Sequence, residues 1–144
     1  MGVIVDANRT GDFTTPVAGT ARIILQLLRS RQITLVVGGK QLTEVGRTRF
    51  REILLEADRI GLLKRVSNAE VDKEELVVSE LPIVSDDPHI VALVRLSGDR
   101  VVYTTDANLI KDLRSATLCR PRGKVITNTT PVKSVERLLR VAGA

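Results

Sequence analysis

Ser85-Asp86-Asp87-Pro88-His89-Ile90-Val91-Ala92-Leu93-Val94, followed closely by Val101-Val102-Tyr103-Thr104-Thr105-Asp106, is the stretch from which the fold can be read. Asp87 stands at an N-cap position and Pro88 at the first helical one. Ile90, Val91, Leu93, Val94 and Leu96 supply the apolar positions before Ser97-Gly98 ends the helix. The β-branched run that follows reads as a short buried strand with an acid just past its end. Helix, strand, then acid is a unit of an open α/β sheet, whose ligands bind beyond the carboxyl ends of the strands. Val3-Ile4-Val5-Asp6 repeats the strand-and-acid pattern at the N-terminus.

Outward from these two units, strands and helices alternate. Thr14-Thr15-Pro16 offers a helix start with Thr15 as N-cap, and Val17, Ala21, Ile24, Leu25 and Leu28 follow at helical spacing. Ile23 and Leu27 lie off that stripe, so this helix is expected to be sandwiched or to form a subunit interface. Ile33–Val37 is a second strand closed by Gly38-Gly39. One long helix is expected from about Lys40 to Ile60, with Glu44 in its first turn and Gly61 as its stop. Asn68 to Glu75 reads as a short acidic helix, Asp106 opens another through Leu113, Lys124–Thr127 is a last strand, and Pro131 to Val141 a last helix. The pattern predicts one α/β domain of three layers, α/β/α, around a mainly parallel sheet.

Composition bounds the chemistry. A chain of 144 residues is long enough to bury a sizeable core, and with aromatics at 2% that core must be built from Leu, Val, Ile and Ala. Stacking platforms for bases are scarce. The formal net charge is +5 but segregated: seven acids face Lys73 between Glu70 and Asp87, and eight bases face Asp112 and Glu136 from Lys111 onward. A basic stretch of that kind suits a polyanion. Cys119 is the only cysteine, which excludes an internal disulfide and suggests an inert thiol. No apolar run approaches the roughly 18 residues of a membrane span, and Asp6 comes too early for a signal peptide, so a cytoplasmic protein is expected.

Each acid has an ordinary explanation. Asp6 could make an Asx turn, Asp87 and Asp106 could cap helices, and Glu44 could complement its helix dipole or pair with Arg47. Gathered at one sheet edge they would repel one another and raise each other's pKa unless a cation lay between them. Hard oxygen donors suit Mg²⁺ or Mn²⁺; no Cys/His set for zinc exists here.

Val5-Asp6-Ala7-Asn8, Thr43-Glu44, Ser85-Asp86-Asp87-Pro88-His89-Ile90, Tyr103-Thr104-Thr105-Asp106-Ala107-Asn108-Leu109 and Arg122-Gly123-Lys124-Val125, in that order, resemble the PIN-domain family over nearly the whole chain. The resemblance implies a metal-dependent ribonuclease acting on single-stranded RNA, often the toxin of a toxin–antitoxin pair, with an antitoxin partner and a homodimer to match. Asp6, Glu44, Asp87 and Asp106 correspond to the family's acidic cluster, as catalytic residues and ligands of Mg²⁺ or Mn²⁺. Asp87 is preferred to its neighbour Asp86 because it directly precedes the helix. Where members often carry a further acid, Asn108 stands at the closest position and Asp112 one turn beyond, which leaves the number of ions open.

Asn8, Thr104, Thr105, Asp86 and Asp112 are candidates for supporting the ligands by hydrogen bonds. Arg9, Arg47 and Arg51 are candidates for holding RNA phosphates, the last two sharing a helix face with Glu44 by spacing. His89 is expected to be a packed residue rather than a general base. Two alternatives carry weight. Asp6-Ala7-Asn8-Arg9-Thr10 resembles the nucleophile motif of haloacid-dehalogenase phosphatases, but Asn8 replaces the acid that would protonate the leaving group. The other is a catalytically silent RNA-binding or regulatory module of the same fold.

Overall fold

The computed structural model describes residues 1–14 and 16–141. Five strands, β1 (Gly2–Val5), β2 (Thr34–Gly38), β3 (Leu63–Val66), β4 (Val101–Tyr103) and β5 (Lys124–Ile126), form one sheet in the order β3-β2-β1-β4-β5. Every neighbouring pair is parallel. The helices are α1 (Gly19–Arg29), α2 (Gly39–Gly46), α3 (Arg51–Arg59), α4 (Asn68–Ser79), α5 (Pro88–Ser97), α6 (Ala107–Leu113) and α7 (Val132–Val141).

Strand side chains alternate between the two faces, and the two cores follow that alternation. Val3, Val5, Leu35, Val37, Val101 and Tyr103 pack with α1, α3 and α7, whereas Ile4, Val36 and Val102 pack with α4, α5 and α6. The predicted three-layer α/β/α architecture is therefore what forms. The aliphatic core has one addition: Phe13 meets Phe50 and Tyr103 edge-on, at ring centroid distances of 4.9 and 5.7 Å. All three aromatics are buried, so none offers a face to a base.

The local departures have identifiable causes. α1 begins at Gly19 rather than Pro16, after a 3₁₀ segment over Ala7–Phe13; the proposed cap Thr15 lies outside the described residues. The apolar surplus of α1 is covered within the chain, since Leu27 and Ile23 join Val135, Leu138 and Leu139 of α7 in one cluster. The expected long helix is two. After Gly46 the Thr48 hydroxyl donates to the Val45 carbonyl at 2.7 Å and accepts from the Phe50 amide at 3.2 Å, turning the chain between α2 and α3. β3 carries no apolar run in the sequence, because its exposed centre is Lys64-Arg65; such charges keep an edge strand from pairing with other chains.

Two glycines sit at close approaches. Gly39 has φ 58°, and a Cβ there would lie 2.5 Å from Val71 Cγ1, so only glycine lets α2 start against α4. Gly123 donates to the Leu113 carbonyl at 2.7 Å, and a Cβ there would meet Leu113 Cβ at 3.0 Å. That contact brings β5 against the end of α6.

Candidate functional site

The direction of chain progression reverses between β1 and β4: β2 and β3 lie to one side of β1, β4 and β5 to the other. This switch point is where an open parallel sheet leaves a crevice at its carboxyl edge. Asp6 directly follows β1, and Asp106 follows β4 after two threonines. Thr104, fully buried, joins them: its hydroxyl donates to Asp6 Oδ2 at 2.7 Å and accepts from the Asp106 amide at 3.1 Å. One hydroxyl of Thr104 thus links the two acids.

The ordinary readings of the acids divide. Asp106 does cap α6, its Oδ1 accepting from the Asn108 and Leu109 amides at 2.9 and 3.1 Å, which leaves Oδ2 for other work. Asp87 occupies the N-cap position of α5 but makes no capping hydrogen bond. Its carboxyl group instead interacts with those of Asp6, Asp106 and Glu44. Burial and these three acids push its pKa up to about 7. Burial also raises Asp6, against the lowering effect of the Thr104 hydroxyl and the Asn8 amide. Asp86 is exposed, so Asp87 is the member of the pair drawn into the cluster.

Glu44 lies in the second turn of α2, not at its positive end, so the dipole explanation does not apply. Its Oε1 is 2.6 Å from His89 Nε2 rather than paired with Arg47. His89 is buried, and burial lowers its pKa despite Glu44. Nε2 is thus the ring nitrogen that faces Glu44, and among the described residues the buried Nδ1 has no hydrogen-bond partner, with Glu75 Oε1 at 3.9 Å. The ring is packed, as expected, but it also orients an acid of the cluster. Gln41, absent from the sequence-based candidates, explains why α2 lies here: its amide donates to the Val5 carbonyl at 3.0 Å and accepts from the Gly38 amide at 3.2 Å. Nothing in the sequence around Gln41 marks it, because its role depends on burial against β1.

The remaining candidates lie around this centre. Asp112 is buried, with Oδ1 and Oδ2 accepting from the Val84 and Ser85 amides at 3.0 and 2.9 Å. Ser85 Oγ in turn accepts from the Asp87 amide at 3.2 Å. Asp112 therefore fixes the segment that presents Asp87. Arg9 is held by Asp12, at 3.4 Å, and Asp12 also accepts from the Tyr103 hydroxyl at 2.6 Å. Asn8 is exposed and Thr105 half-buried. The break after α2 removes the shared helix face of Arg47 and Arg51, yet both line one groove of about 360 Å³ with Arg65, beside the turn that carries Glu44.

Among the described residues no His, Cys, Asp or Glu side chains form a ready-made set of three metal ligands. The donor chemistry nonetheless fits a hard dication. Four carboxyl groups interact, and no lysine or arginine forms an ion pair with Asp6, Asp87 or Asp106 among the described residues. A dication between them would offset that repulsion.

This has a consequence for stability. Asp87 binds its proton more tightly folded, near pH 7, than in an unfolded chain, near pH 4. Its contribution is therefore complete below about pH 4 and is lost as pH rises through 7. Without divalent ions, the unfolding free energy is expected to fall by on the order of a few kcal/mol across this range, at about 1.4 kcal/mol per tenfold change in proton affinity. Millimolar Mn²⁺ should raise the melting temperature at pH 8 and leave it unchanged at pH 5. An equal Mn²⁺ effect at both pH values in calorimetry would refute this assignment.

Thr104→Val, nearly isosteric, removes the hydroxyl shared by Asp6 and Asp106. It is expected to weaken Mn²⁺ binding roughly 10- to 100-fold, as loss of a ligand's supporting partner does, while the circular dichroism spectrum is retained. Unchanged Mn²⁺ affinity in a calorimetric titration would remove Thr104 from the site.

Comparison of the chain with protein-family models, with curated proteins and with solved structures finds no match. Among the described residues no helix is long and apolar enough to cross a membrane.

Proposed function

We propose that the carboxyl cluster at the β1/β4 switch point is the catalytic centre of a metal-dependent endoribonuclease of the PIN type, acting on single-stranded RNA with Mg²⁺ or Mn²⁺. One observation carries this reading. Asp6, Asp87, Asp106 and Glu44 come from four separate parts of the chain and meet at one sheet edge, where burial first and then the three neighbouring acids push Asp87 up to about 7. An arrangement that costs the cation-free protein stability makes sense as a binding site for positive charge.

A bound dication supplies Lewis acidity towards a phosphodiester and its attacking water. The chain's own groups do the rest. Thr104 fixes the separation of Asp6 and Asp106, and Asp112 with Ser85 fixes Asp87. His89 holds Glu44 in one rotamer. Asp106 offers Oδ2, its other oxygen being spent on the helix cap. Arg47 and Arg51 line the groove that Thr43, the residue before Glu44, also lines, and would supply cations for phosphates on either side of the scissile one, whereas Arg65 on the same groove pairs with Asp58 at 3.5 Å. With all three aromatics buried, such contacts read the backbone rather than stacked bases. The same family resemblance carries the proposals of a homodimer and of an antitoxin partner.

The phosphatase reading would use Asp6 as a nucleophile with Asn8 beside it. It leaves Glu44 and Asp106 without a role, and an exposed amide cannot serve as the acid. Incubation of the purified protein with single-stranded RNA and Mn²⁺ separates the two. The nuclease reading expects cleavage that stops on addition of a chelator, with no phosphate released from small monoesters. Chelator-resistant cleavage, or monoester hydrolysis alone, would overturn it.

A further inference from the structure

We propose that a second recess, at the opposite end of β4 from the acids, binds a small phosphomonoester with an apolar body, of the size of a nucleoside monophosphate. It has a volume of about 290 Å³ and lies between the end of α5, the residue preceding β4 and the 117–121 loop. Its walls include Arg95, Arg100 and Arg120 together with apolar Val94, Leu118 and Pro121. The proposal is independent of the acid cluster, since Arg100 and Thr104 are separated by the length of β4, roughly 13 Å at about 3.3 Å per residue.

The charges in the recess are unbalanced. Arg95 is neutralised by Glu74, Nε to Oε1 at 3.0 Å, and its Nη1 donates to the Leu118 carbonyl at 3.0 Å, bracing the loop against α5. Arg120 Nε donates to the Ala116 carbonyl at 2.7 Å, and Arg100 Nη1 to the Arg122 carbonyl at 3.4 Å. A carbonyl orients a guanidinium without cancelling its charge. Neither Arg100 nor Arg120 forms an ion pair among the described residues, so two positive groups line one small recess.

That pattern matches a phosphomonoester, which carries close to two negative charges at neutral pH and presents oxygens to guanidinium forks. The volume is at the small end of ligand pockets, roughly 300–1,000 Å³, which suits one mononucleotide and not a strand. Of the apolar lining residues Val94 and Leu118 are almost wholly buried and Pro121 is exposed, so Pro121 is the chief apolar surface for the ligand's uncharged part. Cys119 lines the same recess, but burial raises its thiol pKa, so binding and not covalent capture is the chemistry on offer.

The test is an NMR titration of the full chain, free of divalent ions, with AMP, adenosine and inorganic phosphate. AMP is expected to shift the amides of Thr117, Leu118 and Arg120 saturably, with adenosine and phosphate each at least about tenfold weaker. Arg100→Ala and Arg120→Ala, both changes at accessible side chains, should each weaken AMP at least about fivefold with the rest of the spectrum retained. Absence of a saturable shift at millimolar AMP, shifts confined to residues around Asp6 and Asp106, phosphate binding as tightly as AMP, or AMP affinity unchanged in both variants would each overturn the proposal.

Discussion

Asp87→Asn is expected to abolish RNA cleavage while making the cation-free protein more stable. The two effects have one cause. Asp87 sits among Asp6, Asp106 and Glu44, where its ionisation is opposed by burial and by its neighbours. A neutral amide of the same shape relieves that repulsion and can still hydrogen-bond to Asp106. It makes no capping bond that the substitution would lose. At pH 8 the gain should be about 2 kcal/mol, seen as a melting temperature higher by roughly 4–8 °C. The same change removes a negative oxygen from the proposed cation site, so kcat/KM for RNA should fall at least about 100-fold, beyond the effect of losing a supporting partner. Gain in stability with loss of activity is the signature of a residue kept for function. Thermal unfolding and a cleavage assay on one preparation read both; a variant that is less stable, or that cleaves normally, contradicts the assignment.

Asp112→Ala is expected to be among the most destabilising single changes in the chain, although Asp112 touches none of the four clustered acids. Its two oxygens accept from consecutive backbone amides, Val84 and Ser85, and the Ser85 bond is buried. Removing the carboxyl group leaves at least one buried amide unpaired, costing about 1–3 kcal/mol, and opens a void beside Leu113 and α6. The total should be about 3 kcal/mol, or roughly 6–12 °C in melting temperature. Since Ser85 Oγ holds the Asp87 amide, Mn²⁺ affinity should fall as well at temperatures where the variant is still folded. Asp112→Asn, which keeps one acceptor, should lose less than half as much stability. Equal melting temperatures for the parent and the alanine variant, measured by calorimetry, would show that the segment is held by other means.

The parts of the fold that were legible in sequence are those where burial dictates composition. Val3–Val5, Leu35–Val37 and Val101–Tyr103 are buried on both faces and read as continuous apolar runs. The Pro88 start of α5 and the Gly61 stop after α3 announce themselves by backbone chemistry. β3 was hidden because an edge strand survives by carrying charge, here Lys64 tied to Asp99 and Arg65 to Asp58. The α2–α3 break was hidden because the apolar stripe continues across it through Phe50 and Leu54, and only Gly46 and Thr48 mark the turn. In the site, an acid at a strand tip is visible to pattern reading, so Asp6 and Asp106 could be named directly. Gln41, Ser85, Asp12 and Tyr103 could not, because their roles are hydrogen bonds to backbone or side chains distant in sequence. Asp112 could be named as an acid but not placed, since the amides it serves lie 28 and 27 residues away.

The most direct test of the acid cluster as a cation site is anomalous scattering from a crystal soaked in Mn²⁺ at pH 8. A peak is predicted between Asp6, Asp87 and Asp106, with carboxylate oxygens at about 2.1 Å. The absence of any anomalous peak between these three carboxyl groups would contradict it.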